Sequence, residues 1–334
     1  MRQHSAVPTG YRLVHLRNGA CSVRSLAEDE TFHPGIGPAA EAEALYVRQL
    51  HLPERVREHD GEFMIWDVGL GAAANALTVI RLIQGSLAGS SAAAWESRAP
   101  KQLRLISFDH TSNAAAFALE HGAELGYVAG YESALADLIK LGTARCTVRM
   151  PQRGVPTESP TVKFGAGPLQ IEWSLVLGDF PAWLNSWSPS FSLSDFDTLK
   201  RELQHAPHAI LFDPHSPKKN PAMWTVPLFA GLFRRLDPQR PCALATFTRS
   251  TMARAALLLG GFFVGVGHPS GLKEETTVAA NRLELLDEPL DRRWLERAKR
   301  SGSAEPLRDP IYRQEPLAPE TWEQLRRHPQ FSRL

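Results

Sequence analysis

The chain has 334 residues, a net charge of +1, 43% hydrophobic and 22% charged residues, the make-up of an ordinary soluble globular protein. No apolar run approaches the roughly 20 residues of a membrane helix, Met1 to Gly10 lacks the charged-then-apolar pattern of a secretory signal, and near-neutral charge does not advertise nucleic-acid binding. Three widely spaced cysteines, Cys21, Cys146 and Cys242, give neither a disulfide framework nor a zinc spacing, so a cytoplasmic protein without a metal is expected.

In chain order, the first part reads as short strands such as Tyr11 to Leu16, then a helix over Ala39 to Gln49 with Pro38 as its first residue. This is an N-terminal β-rich cap, residues 1–55. From Phe63 the pattern becomes strand, glycine turn, helix: Phe63 to Gly69, Leu70-Gly71, then Ala72 to Gln84. The strand is apolar on both faces, as a central parallel strand should be. A second unit follows at Leu103 to Asp109 with a helix from Asn113 to Glu120. Further strands are expected at Leu169 to Leu177, Ala209 to Phe212, Cys242 to Thr248, Phe262 to Gly265 and Thr276 to Ala280. Strands alternating with helices imply a doubly wound α/β sheet over residues 56–285. Stretches 86–100 and 151–168, rich in Ser, Ala, Pro and Gly, read as surface insertions. Residues 286–334 are charged and proline-punctuated, a tail packed on the domain with Trp294 and Trp322 as anchors.

Candidate chemistry gathers at the strand ends, where open α/β sheets bind ligands. In Asp67-Val68-Gly69-Leu70-Gly71-Ala72-Ala73-Ala74-Asn75, glycines sit where a strand becomes a helix and would let a cofactor approach backbone amides at the positive helix end. Ala74 takes the place of the third glycine of a dinucleotide fingerprint, and the turn reads equally as structural or as a ligand loop. Asp109 ends the next strand, where such sites put a carboxylate on a ribose diol. Gly178-Asp179 repeats the device, where an acid can accept from an adenine amino group or cap a turn. Together these read as an adenosine site. The fourth strand end carries Asp213-Pro214-His215-Ser216-Pro217-Lys218-Lys219-Asn220-Pro221-Ala222-Met223-Trp224. Its prolines stiffen the turn, and a residue before proline is held extended, so Asp213 projects with little freedom.

The series of strand ends resembles the class I S-adenosylmethionine-dependent methyltransferase fold, Rossmann-like with a seven-stranded, mostly parallel sheet. The Asp213 to Trp224 stretch resembles more closely the Asp-x-Phe-(Ala/Ser)-Pro-x-(Lys/x)-Asn-Pro-x-Met-Trp signature of the methyltransferases that complete 5-methylaminomethyl-2-thiouridine at the tRNA wobble position. Leu244-Ala245-Thr246-Phe247-Thr248, Gly260-Gly261-Phe262 and Gly271-Leu272-Lys273-Glu274-Glu275 are similar to three further family blocks. The likeness covers roughly residues 60 to 281. The glycine loop departs from the family's Glu-x-Gly-Phe-Gly-Thr-Gly-Leu-Asn, lacking its Thr and last Gly, and His215 stands where the family has an aromatic or small residue.

The resemblance implies a stand-alone methyltransferase without the flavin-dependent oxidase of the bifunctional members. It would use S-adenosyl-L-methionine, held by Asp67, Gly69, Gly71, Asn75, Asp109, Gly178 and Asp179. Its substrate would be an aminomethyl-(2-thio)uridine in the tRNA anticodon loop, made by a separate enzyme and contacted by Pro214, Lys218, Asn220, Thr246, Phe247, Thr248 and Lys273. Methyl transfer to an amine builds positive charge on nitrogen, which a fixed carboxylate favours. Asp213 is thus the expected catalytic residue, with capping of its own turn as the plain alternative. Two other functions stay open: a non-catalytic methyltransferase-like binding module, and an N-methyltransferase for another amine.

Overall fold

The computed structural model describes residues 10–88, 101–147, 169–186, 206–271 and 273–332, so the expected insertions lie almost wholly outside the described residues. The chain divides into two compact units, Met1–Gly178 with Ser270–Leu272, and Asp179–Pro269 with Lys273–Leu334.

The first unit begins with a three-stranded antiparallel sheet of β1 (Tyr11–His15), β2 (Cys21–Ser25) and β3 (Glu30–Thr31), the expected β-rich start. Helix α1 (Pro38–Ala42) does open on Pro38 but passes into a π-helical turn over Glu43–Arg48. The wider turn narrows the angular spread of three successive buried residues, Leu45, Tyr46 and Val47. After α2 (Leu52–Glu58) come β4 (Glu62–Val68), α3 (Ala74–Ala88), β5 (Lys101–Asp109), α4 (Asn113–Glu120), α5 (Gly122–Leu125), α6 (Glu132–Leu141), β6 (Thr143–Thr147) and β7 (Leu169–Leu177). Strand β4 is buried from Phe63 through Val68, which is why its sequence reads apolar on both faces. The order is β4-β5-β7-β6. The first three run parallel, with Asp67 level with Ser107 and Asp109 level with Leu177, so their carboxyl ends form one edge. Strand β6 runs antiparallel to β7.

The second unit contains α7 (Phe180–Ser186), β8 (Ala209–Phe212), a 3-10 turn over Pro221–Trp224, α8 (Val226–Arg235), β9 (Ala243–Thr246), α9 (Thr251–Leu259), β10 (Phe263–Gly267) and β11 (Thr276–Ala280). Its strand order is β8-β9-β11-β10. Strands β8 and β9 are parallel, and β11 is antiparallel to both β9 and β10. Eight central strands, four in each unit, thus stand where seven were expected. The additional one is β6, a short strand whose Thr-Ala-Arg-Cys-Thr sequence alternates only through the small residues Ala144 and Cys146.

Helices α10 (Arg292–Lys299), α11 (Pro319–Arg326) and α12 (Pro329–Ser332) close the second unit. Both expected tryptophan anchors take part: Trp294 stacks on Phe331 with rings 10° apart, and Lys299 Nζ lies 4.5 Å from the Trp322 ring centre. The open edge of β10 is covered rather than left to pair with another chain. Leu290 donates to the Val264 carbonyl and Val266 N–H donates to Glu288, while the Gln330 amide accepts from Val264 N–H at 2.8 Å and donates to Val264 and Leu290 carbonyls at 2.7 and 2.8 Å.

Candidate active site

In the first unit the glycine turn leaves β4 through three successive left-handed steps: Gly69 at φ 102°, Gly71 at 52° and Ala73 at 63°. Gly69 and Leu70 donate their N–H groups to the Phe108 carbonyl at 2.9 and 3.2 Å, which ties the turn to the end of β5. Gly71 N–H reaches the Asp109 carboxylate at 2.9 Å, and the other oxygen of Asp109 accepts from Thr111 N–H at 3.3 Å. Gly178 donates to the Asp109 carbonyl at 2.9 Å. The structure therefore joins Gly69, Gly71, Asp109 and Gly178 at one strand edge, as expected. Asn75 is buried in the first turn of α3. Asp179 caps α7 through an oxygen that accepts from Ala182 N–H at 2.8 Å.

Asp67 is fully buried. Its carboxylate accepts from Ser107 Oγ at 2.7 Å, and Ser107 accepts in turn from Trp173 Nε1 at 2.9 Å. Tyr127 donates to the Ala72 carbonyl at 2.9 Å, and burial pushes its phenol far above the usual range, so it stays a neutral donor. Sequence reasoning passed over Ser107, Trp173 and Tyr127. Each lies on a different element from the group it holds, and no local pattern marks it.

In the second unit Asp213 follows β8 directly, partly exposed, with Pro214 buried behind it. Lys219 and Asn220 N–H groups both close on the Ser216 carbonyl at 2.8 Å, which leaves Lys218 and Lys219 exposed on the turn. Trp224 staples this loop to the core. It is fully buried, donates its indole N–H to the His215 carbonyl at 2.9 Å, and meets Phe212 and Phe247 edge-on with centroids at 5.3 and 5.8 Å. It is a core residue, and Met223 beside it is buried too.

Ile210 pairs with Leu244 and Leu211 with Ala245, and Asp213 and Phe247 are the residues that directly follow these two parallel strands. Lys273 Nζ lies 4.4 Å from the Phe247 ring centre and donates to the Phe247 carbonyl at 3.1 Å, a cation over an aromatic face. Thr246 is fully buried, and its hydroxyl has no hydrogen-bond partner among the described residues. The Thr248 hydroxyl accepts from Ser250 N–H at 3.1 Å, and its carbonyl accepts from Thr277 at 2.6 Å. Asp213, Thr246, Phe247, Thr248 and Lys273 thus share one strand edge within the second unit.

The sequence model of a family described as S-adenosyl-L-methionine-dependent methyltransferase matches residues 190–282, the span that carries this edge. The chain is 27% identical over 277 residues to the tRNA 5-methylaminomethyl-2-thiouridine biosynthesis bifunctional protein MnmC of Aeromonas hydrophila subsp. hydrophila. Over residues 190–282 the chain is thus similar to methyltransferases that use S-adenosyl-L-methionine. The alignment with the Aeromonas protein covers 79% of this chain but 34% of that relative, so the chain spans about a third of the length of the curated protein it matches. The crystal structure of MNMC2 from Aquifex aeolicus shares the fold, with a TM-score of 0.59 at 18% identity, covering 97% of this chain and 86% of that one.

The first unit fits the cofactor. Asp109 has a part-exposed carboxylate that would suit a ribose diol, and the left-handed turn at Gly69 and Gly71 lies just before the first turn of the 15-residue helix α3. When bound, S-adenosyl-L-methionine supplies an electrophilic methyl group on a sulfonium. Among the described residues no group of three or more His, Cys, Asp or Glu side chains could hold a metal ion, and no helix is long and apolar enough to cross a membrane.

Proposed function

We propose that this methyltransferase N-methylates an aminomethyl-(2-thio)uridine at the tRNA wobble position. The observation that carries the reading is the Asp213 to Trp224 loop. Its signature sequence is stapled by Trp224 to the core, and the residue at its head follows β8 as Phe247 follows the neighbouring β9. Asp213 orients the amine, stabilises the ammonium that forms as nitrogen takes the methyl, and accepts its proton. Asp67, Gly69, Gly71, Asn75, Asp109, Gly178 and Asp179 hold the cofactor, with Asp179 also capping α7. Pro214, Asn220, Thr246, Phe247, Thr248 and Lys273 line the uridine's place, and Lys218 takes an anticodon phosphate. The MnmC likeness supports a tRNA substrate, and a separate enzyme would supply the aminomethyl group.

The test is methylation of tRNA from a strain lacking this step. The wild-type protein transfers methyl to the wobble nucleoside, and Asp213→Ala loses transfer while still binding cofactor. Unaltered transfer by the variant would remove Asp213 from the mechanism. A second reading, N-methylation of another amine, draws on His215, which replaces the aromatic or small residue of the family signature. Transfer to a small amine with none to tRNA would favour it.

A further inference from the structure

Two aromatic side chains of the N-terminal sheet lie over the glycine turn of the first unit. A Cβ built on Gly71 would meet the Phe32 ring at 3.6 and 3.8 Å, ordinary van der Waals distances, so this ring covers the Gly71 backbone directly. Tyr11, from β1, packs against Phe32 and Phe117 with ring centroids at 6.5 and 6.0 Å. The same Gly71 gives its N–H to Asp109. One carboxylate, one glycine turn and two aromatic rings therefore meet at a single place.

The rings are held there by construction. Phe32 N–H donates to the Val23 carbonyl at 2.8 Å, and the Ser22 hydroxyl donates to the Phe32 carbonyl, so β2 grips the Phe32 backbone from both sides. Tyr11 pairs with Ser25 in the β1–β2 ladder. Yet both side chains are only partly buried. Burial, and then the charges of Asp109 and Glu28, raise the Tyr11 phenol above its usual range, which keeps its hydroxyl a donor. A part-open aromatic surface beside a carboxylate acceptor and a hydroxyl donor is the chemistry that recognises a nucleoside, a π face with a diol attached.

We propose that Tyr11 and Phe32 form one wall of the cofactor's nucleoside pocket, with Phe32 packed on the adenosine and the Tyr11 hydroxyl bonded to it beside Asp109. The cap sheet is then part of the binding site. This rests on the cofactor half of the proposed function and is independent of which amine is methylated.

The test is calorimetry of S-adenosylhomocysteine and of adenosine with the full-length protein, its Phe32→Ala, Phe32→Tyr and Tyr11→Phe variants, and urea midpoints as a check on folding. Phe32→Ala should weaken both ligands about tenfold or more, the scale of a lost base–aromatic stack. Tyr11→Phe should weaken them about threefold to tenfold, the scale of one hydrogen bond, and Phe32→Tyr should bind as the wild type does. A folded Phe32→Ala protein of unchanged affinity would overturn the wall, and tighter binding would overturn it too by showing that the ring fills the ligand's place. If Phe32→Ala does not fold, Tyr11→Phe decides: weaker binding supports the wall and unchanged binding overturns it. Wild-type protein that binds neither ligand would sink the cofactor reading and the wall together. Wild-type protein that binds both but does not methylate tRNA would sink only the substrate.

Discussion

Ala73 occupies a left-handed conformation, φ 63°, at the position where the resembling family has its last loop glycine. A Cβ in that region costs roughly 1–2 kcal/mol, and surrounding contacts must offset it. Ala73 is fully buried, and its N–H and carbonyl bond to Leu70 and Leu77 at 2.8 and 3.0 Å. The loop therefore keeps the glycine geometry without the glycine. Asp67 depends on partners in the same way. Ser107→Ala should cost about 1–3 kcal/mol in urea unfolding, because it strips one hydrogen bond from the buried Asp67 carboxylate and one from Trp173 Nε1; an unchanged midpoint would show that the relay is idle. The acids and glycines of this site were legible in the sequence because each ends a strand or opens a turn. Ser107 and Trp173 were not, since Ser107 meets Asp67 from 40 residues further along the chain and Trp173 meets Ser107 from 66 beyond that, visible only once β4, β5 and β7 lie side by side.

At the scale of elements, β4 and β8 could be read because burial on both faces writes itself as continuous apolar sequence, while β7 begins with alternation, Leu-Gln-Ile-Glu-Trp. Leu169–Leu177, Ala209–Phe212 and Thr276–Ala280 coincide with their expected bounds. Strand β6 and helix α2 escaped, one polar at a sheet edge and the other short. The docking of α12 could not be read either, because its contacts, the Gln330 amide on Val264 and Leu290, Arg292 on the Phe331 carbonyl and Trp294 on the Phe331 ring, all reach residues far away in the chain. Gln330→Leu keeps the bulk but takes the amide from Val264 N–H and the Leu290 carbonyl and leaves the Val264 carbonyl with Leu290 N–H alone, and should lower stability by about 2 kcal/mol with faster hydrogen exchange at Val264. Unchanged exchange there would show that the amide does not hold the edge. Next to it, burial lowers the His328 imidazole from 6.5 to about 4, and its Nδ1 accepts from Gln330 N–H at 3.2 Å. The unfolded chain takes up this proton first, so the contribution is complete above pH 6.5 and is lost as pH falls toward 4. Thermal unfolding across that window should show a steeper fall in the wild type than in His328→Asn, and equal slopes would exclude the histidine.

For the whole molecule, a net charge of +1 gives no general attraction to a polyanion, so tRNA affinity must come from a few placed cations. Lys218, exposed on the Asp213 loop, is the one the proposed reading uses, and Lys219 is exposed beside it. Replacing either with Ala should weaken tRNA binding and reduce the slope of log affinity against log salt by about one; a slope unchanged in both variants would place the RNA elsewhere. A class I methyltransferase fold was foreseeable from the order of strand ends. The acceptor was foreseeable only through the Asp213 to Trp224 signature.

The most direct measurement is methyl transfer from labelled S-adenosyl-L-methionine to tRNA lacking this modification, with the wobble nucleoside identified by mass spectrometry after digestion. The account predicts a single added methyl on the aminomethyl-uridine with the wild type and none with Asp213→Ala, whose cofactor affinity stays within about twofold of the wild type as expected for a residue away from the cofactor's own contacts. Wild-type protein that binds the cofactor and leaves the wobble uridine unmethylated would contradict it.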